Sequence, residues 1–175
     1  MKKTSVIGLA LLGCVGQVQA ASTGTINFNG TVTTTTCDVK LDGDVGIVTL
    51  PTVSESELSV MSWTAGRTAF QLKLQNCQGA LKTAAAFFEA GPGVDSSGHL
   101  RNLSGTAKNV VLQLREGAGS FSPIVVGNQN QIANASYYTI TNGMATLPYT
   151  VEYYAMGAAT AGSVVSNVVY SLQYK

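Results

Sequence analysis

Residues 24–32, GTINFNGTV, alternate with period two. Ile26, Phe28, Gly30 and Val32 fall on one face and Thr25, Asn27, Asn29 and Thr31 on the other, the pattern of a β-strand with one buried face. The stretch lies near the start of the chain that remains once a leader is removed. Nothing on its N-terminal side folds back as a ladder partner, and where this strand finds one decides the fold.

The leader is read from Lys2 and Lys3, an apolar run over residues 6–15 and the small-residue pattern Val18-Gln19-Ala20, which together predict a secretory signal over residues 1–20. The mature chain is expected to begin at Ala21. An apolar run that short does not span a bilayer, which takes about 20 residues, and no later stretch approaches that length, so an exported, soluble product is expected. Of 175 residues, 155 remain, enough for one domain with a core.

Cys14 leaves with the leader. Cys37 and Cys77 remain, and in an oxidising compartment they read as one disulfide closing a loop of about 40 residues, worth about 4 kcal/mol in the chain-entropy account. Without a CxxC, and with His99 as the single histidine, metal and redox roles have no ligand set; no cofactor is expected. After Lys2 and Lys3 are removed, eight basic residues face nine acidic ones, and no basic stripe points to nucleic acid. Charged residues make up 11% of the chain, less than half the usual ~25%. Thr, Ser, Asn, Gln and Gly fill the polar positions, which suits a surface that packs against copies of itself outside cells.

The periodicity along the chain is that of strands. They are predicted over residues 31–39, 46–50, 68–75, 84–88 and 109–115, and further near 124–126, 138–140, 146–154 and 164–174. Asp42-Gly43, Gly91-Pro92-Gly93, Ser97-Gly98, residues 117–119, Asn142-Gly143 and Ala161-Gly162 separate them as turns. Residues 53–62 are polar and read as a loop or one helical turn before Trp63. Short strands at this spacing predict an all-β sandwich of immunoglobulin type. In the last of them Val164, Ser166, Val168, Tyr170, Leu172 and Tyr174 share a face, and Lys175 follows. Both ends of the mature chain are thus predicted strands, and one account pairs them with each other inside a closed sandwich.

A second account comes from resemblance. The arm Gly24-Thr25-Ile26-Asn27-Phe28-Asn29-Gly30 ahead of Cys37, the Cys37 to Cys77 spacing with Asn76-Cys77, residues 154–162 (YAMGAATAG), the penultimate Tyr174, and Gly162 fourteenth from the end together resemble the chaperone-usher pilins, in particular the type 1 fimbrial major subunit group. The match runs over the mature chain. Two departures are a short arm and Ala161 where a proline is often found. The resemblance implies an incomplete immunoglobulin-like sandwich, the pilin fold, that lacks its seventh strand and leaves a groove beside the last strand, completed by donor-strand exchange. It divides the chain into a signal (1–20), a donor-strand arm (21–32) and a pilin domain (33–175).

On that reading Ile26, Phe28 and Val32 enter pockets of the adjacent subunit's groove, with Gly30 where the floor comes closest. Three large apolar side chains at 1.5–3 kcal/mol each supply about 5–9 kcal/mol. Self-insertion is disfavoured because a four-residue tether over 33–36 spans at most ~14 Å, little more than the ~10 Å between packed sheets. A head-to-tail contact of this kind does not close and generates a filament of pilin subunits. The resemblance also implies a periplasmic chaperone that lends a strand to the same edge, marked by Gly162, Val168, Tyr170, Leu172 and Tyr174, and holds the terminal carboxylate at Lys175. An outer-membrane usher follows, and the product is a cell-surface fimbrium that supports adhesion to a host or surface receptor.

The remaining residues point to no other chemistry. Trp63 is expected under a loop, His99 in an exposed turn, and Asp42 and Asp44 as turn residues too few for a calcium loop. No GxSxG, HExxH or phosphate-cradling loop is present, so no enzyme activity is expected. The rival reading is a secreted adhesin or lectin-type module with a self-complete sandwich, but tip adhesins of the resembled family carry an extra domain and lack the arm.

Overall fold

The structure, a computed structural model, describes residues 27, 30, 32, 34–41, 46–117 and 121–175. The chain divides into two units, Met1–Val32 and Thr33–Lys175. In the first, Gly30 and Val32 are exposed, Val32 fully so at 101%, and an added Cβ at Gly30 would meet nothing within 4 Å. Ile26 and Phe28 lie outside the described residues, as do the leader and the turn at Asp42-Gly43.

The second unit is built of antiparallel strands: β1 (Thr36–Leu41), β2 (Thr64–Gln78), β3 (Thr83–Phe88), β4 (Leu100–Arg101), β5 (Val110–Glu116), β6 (Tyr138–Thr139), β7 (Ala145–Ala155) and β8 (Tyr170–Tyr174). One sheet has the order β1-β2-β7-β5-β4 and the other β6-β3-β8. Alternation explains β2 directly. Phe70, Leu72 and Leu74 point inward while Ala69 and Lys73 face out, so one face meets the core and the other water. The bulge between Ala65 and Thr68 accommodates Gly66, whose φ of +65° and tight approach to Tyr153 and Val53 leave no room for a side chain.

The main core lies between the sheets and gathers Leu72, Leu74, Ala84, Ala86, Phe88, Leu112, Leu114, Leu147, Tyr149 and Val151. Tyr149 is its centre: Phe88 meets its ring edge-on at 5.1 Å, and its hydroxyl oxygen accepts the Ala86 N–H at 3.0 Å. Burial holds its phenol far above the ordinary range, in spite of that bond. Cys37 on β1 and Cys77 on β2 form the disulfide, welding the edge strand to its neighbour.

Several predicted strands differ from the observed ones. Residues 46–50 and 164–169 lie outside every named strand. Residues 124–126 form none either; next to the bridge Arg115–Pro123, Ile124 N–H donates to Leu114 O and Val126 N–H to Gly98 O. Among described residues β1 starts at Thr36 rather than at 31. The polar stretch before Trp63 contains one 3₁₀ turn, Glu55–Leu58, closed by a reciprocal Ser54/Glu57 cap. A five-residue helix, α1 (Asn130–Asn134), appears where no periodicity announced it. No helix of the described residues is long and apolar enough to cross a membrane.

Two side chains are placed differently from expectation. His99 is buried at 9% exposure: its ring sits 3.2 Å from an Asp95 carboxylate oxygen, 3.2 Å from Gln113 Nε2, and stacks on Tyr154. Asp95 belongs to the turn itself, but Gln113 and Tyr154 come from β5 and β7, which a turn reading does not see. Trp63, expected under a loop, is half exposed, because it sits just after the tight turn closed by its own N–H on Val60 O.

Candidate functional site

β8 is the last strand of its sheet. It pairs with β3 through Phe88–Tyr170, Ala86–Leu172 and Ala84–Tyr174, and its other edge carries no ladder among the described residues. Tyr170, Leu172 and Tyr174 pack against the core yet are only partly buried, as are Val164 and Val168 ahead of them. A β-strand so placed leaves every second backbone N–H and C=O of its free edge without a strand partner.

A second stretch also packs without a ladder. Residues 47–53 join no strand, yet Val48 and Leu50 pack on the main core and Val53 on a smaller cluster of Leu58, Ala107, Val110 and Ala155. The stretch and the lead-in to β8 approach each other at a cleft of about 340 Å³, lined by Val53, Leu58, Val110, Tyr153 and Val164, with Thr52 at one side and Gly162 at the other. Its lining mixes these apolar side chains with Ser54, Thr160 and Ser163. The one carboxylate there, Glu55, accepts the Ala161 N–H at 3.2 Å and so fastens the loop to the 3₁₀ turn.

Of the residues expected at this edge, Val168, Tyr170, Leu172 and Tyr174 lie along it and Gly162 lines the cleft at its far end. Gly162 has φ +155°, and a Cβ there would collide with the backbone N of Ala107 and, at 2.6 Å, with Thr106 Oγ1; close approach of two backbones demands glycine here. Lys175 is tied to the start of β3: its carbonyl accepts from Lys82 and Thr83 N–H at 2.8 and 3.0 Å, and its ammonium lies 3.7 Å from the centre of the Tyr137 ring. Burial raises the phenols of Tyr170 and Tyr174, the latter offset in part by a hydrogen bond with the Cys37 backbone. From Val168 to Tyr174 the edge carries no acidic or basic side chain. Among the described residues no group of three or more His, Cys, Asp or Glu side chains is placed to hold a metal ion.

Sequence reasoning missed the polar network on the outer face of the larger sheet. Glu152, 1% exposed, receives Arg67 Nε at 2.7 Å and Arg115 Nε at 2.5 Å, and Arg115 also donates to Gln113 and to Phe121 O. The three charged residues come from β2, β5 and β7, with Arg67 in the bulge and Arg115 two residues beyond the register partner of Glu152, so no local pattern announced them.

The family model described as type-1 fimbrial protein, A, matches residues 50–175, which holds both β8 and the cleft. The chain belongs to the type-1 fimbrial protein family. This fimbrial protein is 40% identical over 160 residues to the major fimbrial subunit SMF-1 of Stenotrophomonas maltophilia, covering 88% of this chain and 94% of that one. It is 33% identical over 175 residues to the minor fimbrial subunit HifD of Haemophilus influenzae, covering 95% and 81%. Its fold is that of the P pilus rod subunit PapA, with a TM-score of 0.60 at 17% identity over 79% of this chain and 99% of that one. This fimbrial protein is thus a structural subunit with an incomplete, pilin-type β-sandwich.

Proposed function

We propose that this fimbrial subunit polymerises head to tail, residues 24–32 of one copy adding a strand along the free edge of β8 in the next. The observation that carries the reading is that edge, which has one ladder partner and a row of half-buried apolar side chains beside it. Ile26, Phe28 and Val32 supply apolar groups at the two-residue spacing that such an edge accepts, and Gly30 permits close approach. Residues 1–20 are a signal removed on export, 21–32 the donor arm and 33–175 the acceptor domain. Before assembly a periplasmic chaperone occupies the same edge, from Gly162 through Val168, Tyr170, Leu172 and Tyr174 to Lys175, and an outer-membrane usher exchanges it for the next arm. The role is structural, without catalysis, and the surface fimbrium supports adhesion.

The test compares the exported full chain with a variant lacking residues 21–32 and with Phe28→Asp. The full chain is expected to give a ladder of oligomers that survive mild detergent on a gel. Deletion abolishes the ladder. Phe28→Asp, which forces a charge into an apolar slot, stops polymerisation while the subunit stays soluble with its chaperone. Ladders of equal intensity from the deleted form overturn the proposal, and so does loss of the Phe28→Asp subunit itself, which would place Phe28 in its own core.

A further inference from the structure

Residues 156–165 lead into β8 and form one wall of the cleft, but they join no strand. Residues 102–109 hold them instead, through backbone bonds such as Leu103 N–H to Val165 O at 2.8 Å and Ala107 N–H to Ser163 O at 3.1 Å, and through side chains. Asn102 spends its whole hydrogen-bonding capacity on this task. Its Nδ2 donates to Ala107 O at 2.9 Å and to Ser163 O at 3.0 Å, while its Oδ1 accepts from Gly105 N–H and Val165 N–H, both at 2.9 Å. An amide offers two donors and one two-lone-pair acceptor, so all four places are filled.

Neighbouring contacts repeat the arrangement more weakly. Thr106 N–H donates to Ser163 Oγ at 3.2 Å and Ser163 N–H donates to Thr106 Oγ1 at 3.1 Å. Lys108 N–H donates to Thr160 Oγ1, and Asn109 Nδ2 to Ala158 O, both at 2.9 Å. Asn102 is the single side chain that bonds on both sides of Val164, to Ser163 and Val165. Val164 lines the cleft and packs on both apolar clusters.

We propose that Asn102 is a positioning residue: it keeps the cleft open before a strand arrives, and so governs how fast a strand docks more than how tightly the finished joint holds. This rests on the strand-acceptor reading above. The backbone bonds of Ser163 and Val165 remain without the Asn102 donors, but with those ties loosened Val164 gains by moving further into the cleft against Val53, Leu58 and Val110 and removing its own surface from water, which narrows the place an incoming side chain needs. Binding to a fraction of the molecules that are open slows docking by that fraction. Once a strand is seated, its own ladder restrains the same backbone, and the Asn102 bonds become redundant. Asn102→Asp keeps the shape and the acceptor oxygens but removes both donors, at about 1 kcal/mol net each.

The experiment uses the full chain and a fluorescent synthetic peptide of residues 21–32, with association and dissociation rates read separately. For Asn102→Asp the association rate is expected to fall about tenfold while the dissociation rate stays within about twofold of wild type. Thr106→Val, which removes one weaker tie, slows association about threefold and carries the test if Asn102→Asp fails to fold by circular dichroism. A faster dissociation with unchanged association assigns Asn102 an ordinary structural role and overturns the proposal, as do unchanged rates in both variants. A wild-type chain that takes up no peptide overturns the acceptor reading itself, a result distinct from either.

Discussion

Glu116, at the end of β5, is 7% exposed, and its Oε2 is buried without a hydrogen-bond partner among the described residues. Burial raises its carboxyl pKa, and hydrogen bonds from Ser136 offset part of the rise. A carboxyl with a higher pKa folded than unfolded favours the fold while protonated. Its contribution is present below the ordinary carboxyl range and is lost as pH rises through the folded value. Glu116→Gln is therefore expected to raise the melting temperature at about pH 7.5, with the gap closing toward about pH 4. Asp95 works with the opposite sign. Burial would raise it, but the backbone N–H groups of His99 and Ser97 and the His99 ring outweigh that and hold it low, and the effect is common to both proteins. Thermal melts across pH check the prediction, and a gap that widens toward acid contradicts it.

At the scale of elements, the lead-in to β8 turns on Gly162. Gly162→Ala introduces a Cβ against the Ala107 backbone at a φ that side chains rarely adopt; a cost of about 2 kcal/mol is expected from strain of this kind. Gly157→Ala in the same loop is the control, since its Cβ would meet only Asn109 at 3.8 Å or beyond, and should stay within about 0.5 kcal/mol of wild type. Denaturant unfolding of the two variants separates them; equal midpoints remove the claim about Gly162. The elements that sequence reading located well, β2, β3, β5 and β7, are those whose inward face repeats every second residue and whose neighbours are in the same chain. Residues 46–50 and 164–169 repeat in the same way but make no ladder, because alternation records a buried face and not the partner beside it. That gap between pattern and pairing is the groove, so the cleft was legible only in outline, through Gly162 and the edge residues. His99, Glu152 and Asn102 escaped because the partners that bury or fix them, Gln113, Arg67 and Ser163, lie 14, 85 and 61 positions away, beyond any local signal.

For the whole molecule, the disulfide is the strongest single constraint on the unfolded chain. It joins residues 40 positions apart, and replacing both cysteines by Ala is expected to cost about 4 kcal/mol, visible as a lower melting temperature of the full chain under non-reducing conditions. A double variant that melts with wild type shows that the edge strand is held by other means. The comparison also separates stability from assembly. On the proposed reading a strand docks on β8 and the cleft, whereas the disulfide lies between β1 and β2 in the other sheet and meets β8 only through the Cys37 backbone at Tyr174, so a folded double variant is expected to take up the peptide.

The position of that bond has a mechanical consequence. If the arm is the joint between copies, tension on a fibre enters each body at residue 33. It then passes to Thr35, which is 5% exposed and packed on Gly79, and two residues later to Cys37. There the covalent link hands the load from an edge strand to β2, which is hydrogen-bonded along most of its length to β7. A pull that would otherwise peel one ribbon off the sandwich, bond by bond, must instead shear its central pair at once.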